Sequence, residues 1–340
     1  AVDVTDPDKP DFLWAIENSI YTLDNSNKVS LLGESKRNVI SWQKNGNSTD
    51  SAGYTHDDKN FPADYDYRSL RLTVSTPFIG HLTTGEWAFV MGNGTTGELN
   101  ENPKGEVFIG NIENGQILKK FQTSANSPIV SPVAVLHDGV SGLIRTFFLG
   151  DTSGKVFKAD LSDRDNKDNW TIDAVLDVDA TVGLSYPLDA TRVKNRLWIF
   201  VGTGDIEGYL ANQSFTSYFV AADITDVQPG FPLKRNTTDL ESLSAEDAAA
   251  GLDPLSLKKG WFITFKNPGN GKPVERMSTA PAVYNGYVFF STFTPSDDPC
   301  KTTGTSRLYA LEAATGISGW KGNPKKYIEL KDVKITGLSV

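Results

Sequence analysis

The chain has 340 residues, 39% hydrophobic, 11% aromatic and 22% charged, with 33 Lys and Arg against 42 Asp and Glu for a formal net charge of −9. That apolar share can fill a large core and excludes wholesale disorder, while the acidic balance without a basic run argues against nucleic acid as a partner. One Cys and three His exclude a disulfide framework within the chain and a multi-His or Cys-rich metal site.

The chain opens abruptly at Ala1-Val2-Asp3-Val4 with no leader segment, so either a leader has been removed or this is a piece of a longer protein. No stretch reaches the apolar length needed to span a bilayer. Residues 1–4 read as the third strand of a β-sheet unit. Residues 24–67 are polar, rich in Asn, Asp and Ser, and read as a long decorated loop.

From Ser75 onward one pattern recurs: a Ser or Thr beside a Pro, an alternating strand, an apolar strand, and a third strand closing on an acidic or Asn turn. The first copy holds Pro77, Trp87 to Gly92 and Gly105 to Asn111; the second holds Pro132, Thr146 to Gly150 and Gly154 to Leu161. The third has Pro187, Leu197 to Gly202 and Tyr218 to Asp223, and the fourth Pro281, Tyr287 to Thr292 and Arg307 to Glu312. Pro77, Pro132 and Pro187 are spaced 55 residues apart, whereas Pro187 to Pro281 is 94, which places an insertion at about 226–272. Helical signals are confined to that insertion, where Ser244 precedes an Ala-rich run ending at Gly251.

Short β-rich units at this period are the signature of propeller blades, with a large β-sandwich as the competing architecture. The expected fold is all-β: a single β-propeller domain over 1–340, with five to seven blades and a small helical insertion. Gly337-Leu338-Ser339 repeats the blade-opening Gly183-Leu184-Ser185, so strands from both termini are expected to close the ring without a free sheet edge.

Catalytic motifs are absent. The run Gly150 to Lys155 is one residue short of a phosphate-binding loop and continues into Val156, and there is no G-x-S-x-G elbow. Asp163, Asp165 and Asp168 present carboxylates at spacings a hard cation accepts, without the Gly and closing Glu of a calcium loop; a solvated turn is the other reading. No organic cofactor is expected. Cys300 either pairs with a partner outside the chain, in an intermolecular or interdomain disulfide, or remains an unpaired thiol.

The segment Tyr309 to Trp320 resembles the A-x-[DN]-x-x-[TN]-G-x-x-x-W docking motif of quinoprotein dehydrogenase propellers, with Glu312 in place of Asp. In that likeness Glu312 and Thr315 tie a turn and Trp320 packs between blades. A quinoprotein-type dehydrogenase is therefore one alternative function, and an outer-membrane assembly scaffold is another.

A wider set of strings, in order along the chain, resembles the C-terminal propeller of type IV pilus tip proteins of the PilC/PilY1 kind. They are Ala1 to Pro7 with Leu13-Trp14, Gly92-Asn93-Gly94, Gly150-Asp151 with Phe157 to Leu161, Gly260-Trp261-Phe262, Glu275-Arg276, Thr292 to Pro295, Pro299-Cys300 and Leu308 to Leu311. The resemblance implies that the chain is a fragment of a larger protein and a non-enzymatic, extracellular module at the pilus tip, supporting assembly, retraction control and surface attachment. Its implied partners are minor pilins, a host-cell or abiotic surface, and the N-terminal region of the same protein. It also implies calcium in a loop matching residues 136–143, where Asp138 alone keeps a carboxylate, with Asp163, Asp165 and Asp168 as the other candidates.

Overall fold

The computed structural model describes residues 64, 66–67, 69–70, 75–94, 104–123, 127–136, 142–178, 183–204, 216–227, 235–265, 273–298, 300 and 303–339, together with the backbone of the strands within residues 2–43. The chain divides into two compact units: Ala1–Ile129 with His137–Arg145 and Leu161–Trp170, and Val130–Leu136 with Thr146–Asp160 and Thr171–Val340.

The first unit begins with two two-stranded sheets, β1 (Val2–Asp3) on β2 (Asp11–Phe12) and β3 (Trp14–Leu23) on β4 (Val29–Gln43). The stretch expected as a polar loop over 24–67 therefore contains a 15-residue strand. Val29, Leu31, Leu32, Val39 and Ile40 within it are residues that suit a strand. The unit then forms one blade, an antiparallel meander of β5 (Phe78–Leu82), β6 (Trp87–Gly92), β7 (Glu106–Asn111) and β8 (Ile117–Gln122). The short β10 (Leu143–Ile144) adds in parallel beside β5.

The second unit holds three blades. One is β9 (Ala134–Leu136), β11 (Thr146–Gly150), β12 (Lys155–Asp160) and β13 (Thr171–Asp177). The next is β14 (Asp189–Val193), β15 (Arg196–Gly202), β16 (Tyr218–Asp223) and β19 (Gly260–Thr264). The last is β20 (Arg276–Met277) and β21 (Ala282–Tyr284), both paired to β22 (Tyr287–Pro295), followed by β23 (Gly304–Glu312) and β24 (Tyr327–Lys331). The four sequence copies are thus the four blades formed among the described residues, fewer than the five to seven expected, and the fold is all-β and of propeller type.

The inner strands of the blades, such as β6, β7, β11, β15 and β16, are buried on both faces, which explains the unbroken apolar runs. The residues of β15 and β16 sort by parity. Ile199, Val201, Val220 and Ala222 join an aliphatic cluster with Phe148, Val156 and Leu176 of the preceding blade. Trp198, Phe200, Phe219 and Ala221 join an aromatic cluster with Phe290, Tyr309 and Tyr327 of the following one. Within the latter, Phe219 stacks on Phe290 at 3.7 Å between ring centroids, and Phe290 on Tyr309 at 4.5 Å.

The glycine that ends the second strand of the first three blades marks a close approach. A Cβ on Gly92, Gly150 or Gly202 would collide with Ile129, Leu184 or Met277 respectively. The next position is a buried polar residue that pins the following loop. Asn93 accepts from the backbone N–H of Glu106 and Ile129, Asp151 from that of Ser153 and Lys155, and Thr203 from that of Tyr218.

Among its described residues the insertion forms no α-helix. Its only described helix is a single 3-10 turn, Thr237–Asp239, with Asn236 as its cap. The Ala-rich run forms turns instead, because its backbone groups bond outward: Ala248 N–H to Pro324 O, Ser318 N–H to Ala248 O, and Lys326 N–H to Ala245 O. The insertion also supplies strands. β17 (Arg235–Asn236) adds in parallel to β13, β18 (Glu241–Leu243) adds in parallel to β19, and β19 itself completes its blade. Among the described residues no strand pairing joins the two termini: β1 pairs with β2, and residues 337–339 lie outside any strand. The chain turns at Asp332, whose φ is 58°, and Ser306 Oγ then holds the tail through Val333 O and Ile335 N–H. No helix among the described residues is long and apolar enough to cross a membrane.

Candidate functional site

The chemistry of the second unit concentrates on the last blade. β23 projects Arg307 and Tyr309 to one face, two residues apart, and β24 sets Glu329 and Tyr327 directly opposite them. Just before β20, Glu275 is 1% exposed. Its carboxylate accepts hydrogen bonds from Thr292 Oγ1 at 2.6 Å, Arg307 Nη1 at 2.7 Å and Tyr309 Oη at 3.2 Å. The Arg307 guanidinium lies 4.1 Å from the Tyr327 ring centroid and its Nε is 3.6 Å from Glu329. On the rim, Lys325 Nζ meets Glu246 at 2.7 Å, and Tyr327 Oη donates to the same carboxylate at 2.8 Å.

Apart from Thr292 these residues, with Ser242, Ser244 and Thr264, line an open pocket of about 700 Å³, a size typical of small-molecule sites. Burial disfavours the charge on Arg307, but the Glu275 carboxylate together with the Tyr309 and Tyr327 hydroxyls outweighs it and holds the guanidinium above its ordinary pKa. Burial, reinforced by Glu275, pushes Tyr309 well above the ordinary phenol value, so its hydroxyl stays a donor. The bond from Lys325 holds Glu246 below the carboxylate range, and Lys325 in turn rises to about 12. The pocket offers donors and acceptors in fixed places, which is equipment for binding.

The blade-docking residues are partly where the sequence expects them. Thr315 Oγ1 donates to Glu312 at 2.7 Å, and the turn closes through Gly316 N–H to Glu312 O at 2.7 Å with Gly316 at φ 73°. Trp320 is half-buried and donates to Leu308 O of its own blade, at 3.3 Å. The indole that reaches between blades is Trp261 of β19. It is fully buried, donates to Ala313 O at 3.1 Å and sits where a Cβ on Gly316 would be 2.9 Å away. Lys326, also fully buried, fastens the same turn by donating to Gly316 O at 2.6 Å and to Ala250 O. Burial pushes its pKa down to about 8.

The aspartate trio does not converge. Asp163 spends its carboxylate on its own turn, accepting from the N–H groups of Asp165 and Asn166 at 3.0 Å each and from Asn169 Nδ2 at 2.7 Å. Asp168 is exposed and lies 3.6 Å from Lys119. Among the described residues no group of three or more His, Cys, Asp or Glu is placed to hold a metal ion. Asp138 lies outside the described residues. Cys300 is exposed, its N–H bonded to Asp298 at 3.0 Å.

No protein-family model matches the chain. Over 339 residues, 88% of this chain, it is 26% identical to a type IV pilus biogenesis factor PilY1 homolog of Xylella fastidiosa. The chain is homologous to that PilY1 homolog. It spans 21% of the length of that relative. The Pseudomonas aeruginosa PilY1 C-terminal domain superposes with a TM-score of 0.61 at 15% identity, covering 92% of this chain and 72% of that one. The PilY1 domain therefore shares the fold, and the expected resemblance holds.

Proposed function

We propose that this chain is a non-enzymatic, propeller-type module of a type IV pilus biogenesis factor. In this reading it works outside the cell at the pilus tip, where it supports assembly, takes part in retraction control and contributes to surface attachment. The observation that carries it is the likeness over 88% of the chain to a protein described as a type IV pilus biogenesis factor. The fold suits the role, since packed blades form a stiff scaffold from which loops can face partners. Those partners are minor pilins, the N-terminal region of the same protein, and a host-cell or abiotic surface.

The test is an in-frame deletion of this segment from its parent gene in the source strain, followed by counts of surface pili and attached cells. Fewer pili, or normal pili with lost attachment, is the expected result. Normal pilus number, retraction and attachment would refute the reading.

A further inference from the structure

We propose that the pocket on the last blade binds a neutral oligosaccharide. Three observations carry this. First, both cations already have a carboxylate partner: Lys325 with Glu246, and Arg307 with the buried Glu275. An anionic ligand would have to draw Lys325 or Arg307 away from its partner, and stranding the buried Glu275 carboxylate is costly. A polyol need break neither.

Second, hydrogen-bonding capacity remains. A guanidinium has five donors and each carboxylate about four lone-pair sites. Arg307 Nε is 3.6 Å from Glu329, beyond hydrogen-bond range, so both groups have room for a ligand hydroxyl. The exposed hydroxyls of Ser242 and Thr264 add further donor–acceptor groups at the rim. Third, the polar groups are held still: Glu275 by three partners, and Arg307 against the Tyr327 ring. Alternating vicinal hydroxyls are the ligand chemistry that uses fixed donors and acceptors side by side without carrying charge. The Tyr327 ring is flanked by the Arg307 and Lys325 cations, at 4.1 and 5.3 Å from its centroid, so in-plane hydrogen bonds rather than stacking would do most of the binding.

This deepens the attachment reading and rests on it only for where the sugar is met. Binding is measured on the isolated chain and attachment on cells, so the two can fail separately. The probes are cellotriose, maltotriose, chitotriose and lactose, with sialyllactose and trigalacturonate as acidic controls, titrated by calorimetry and saturation-transfer NMR. At least one neutral probe should bind saturably, weakened about tenfold by Glu329→Ala and by Lys325→Ala. Both sites are on the rim, and near-UV circular dichroism checks that each variant is folded. Binding of acidic probes only, binding of none, or binding that both variants leave unchanged would overturn the proposal.

Discussion

Trp261 donates its indole N–H to the carbonyl oxygen of Ala313, 3.1 Å away on the next blade. The flat ring fits there because residue 316 is Gly, and its φ of 73° closes the turn that Glu312 and Thr315 tie. Trp261→Ala should lower stability by about 3–5 kcal/mol. Trp261→Phe, which keeps much of the ring but leaves the carbonyl unpaired, should cost about 1–3 kcal/mol. Trp320→Phe should cost less than Trp261→Phe. Urea denaturation ranks the three, and a larger loss at Trp320 would show that the docking assignment is wrong.

Gly202 and Met277 define a second contact between blades. Gly202→Ala pushes a methyl group into the Met277 side chain and should destabilise by about 1–3 kcal/mol. Shortening the obstacle should recover part of that loss, so Gly202→Ala in a Met277→Ala background should cost less than in the native chain. A double-mutant cycle that came out additive would remove steric contact as the reason for this glycine.

Asp189 accepts the backbone N–H of Val283 at 2.8 Å, yet burial raises its pKa above the usual carboxylate range. The protonated form is thus favoured more in the folded chain than in the unfolded one. Its contribution is fully present below the unfolded pKa and is lost as pH rises through the folded value. Asp189→Asn keeps an acceptor and sheds the charge. The variant should gain stability relative to the native chain between pH 4 and pH 7, measured by denaturant midpoints. A native chain that gained on the variant as pH rose would contradict this.

Lys326 has the opposite sign for a base. Its folded pKa of about 8 lies below the ordinary 10.5, so between those values the unfolded chain binds more protons and native stability rises with pH. Subtracting Lys326→Met from the native chain should leave a positive slope across that window, amounting to about 3 kcal/mol at most. A flat difference would mean that the ammonium is not desolvated.

Asp163 is a turn-former in this structure. Asp163→Ala should lower the Tm to the same extent in EDTA and in calcium, because the lost partners are the N–H groups of Asp165 and Asn166 and the amide of Asn169. A loss seen only with calcium present would restore the metal reading of that loop.

The strands were legible where both faces are buried, because β6, β11, β15 and β16 leave continuous apolar runs that end in Gly or Asp. The fourth strands were harder to read. Ile117-Leu118-Lys119-Lys120-Phe121-Gln122 and Tyr327-Ile328-Glu329-Leu330-Lys331 carry polar residues on their exposed side. The run 245–250 looked helical because Ser244 does accept from Glu246 N–H at 3.2 Å, as a cap would. Tertiary bonds to Pro324, Ser318 and Lys326 then outcompeted the helical ladder. The pocket was illegible because Glu246, Glu275, Arg307 and Glu329 come from separate segments that only blade packing assembles. Of these residues only Glu275 stands in a string singled out in the sequence, Glu275-Arg276, and there as part of the family resemblance.

The insertion after β16 contributes β17 to one blade and β18 with β19 to the next. It therefore acts as a hem stitched along two neighbouring borders. An evolutionary deletion there would not simply trim a loop: it would uncover the backbone of β13, strip the outermost strands from the adjoining blade, and leave raw edges on which separate molecules could polymerise.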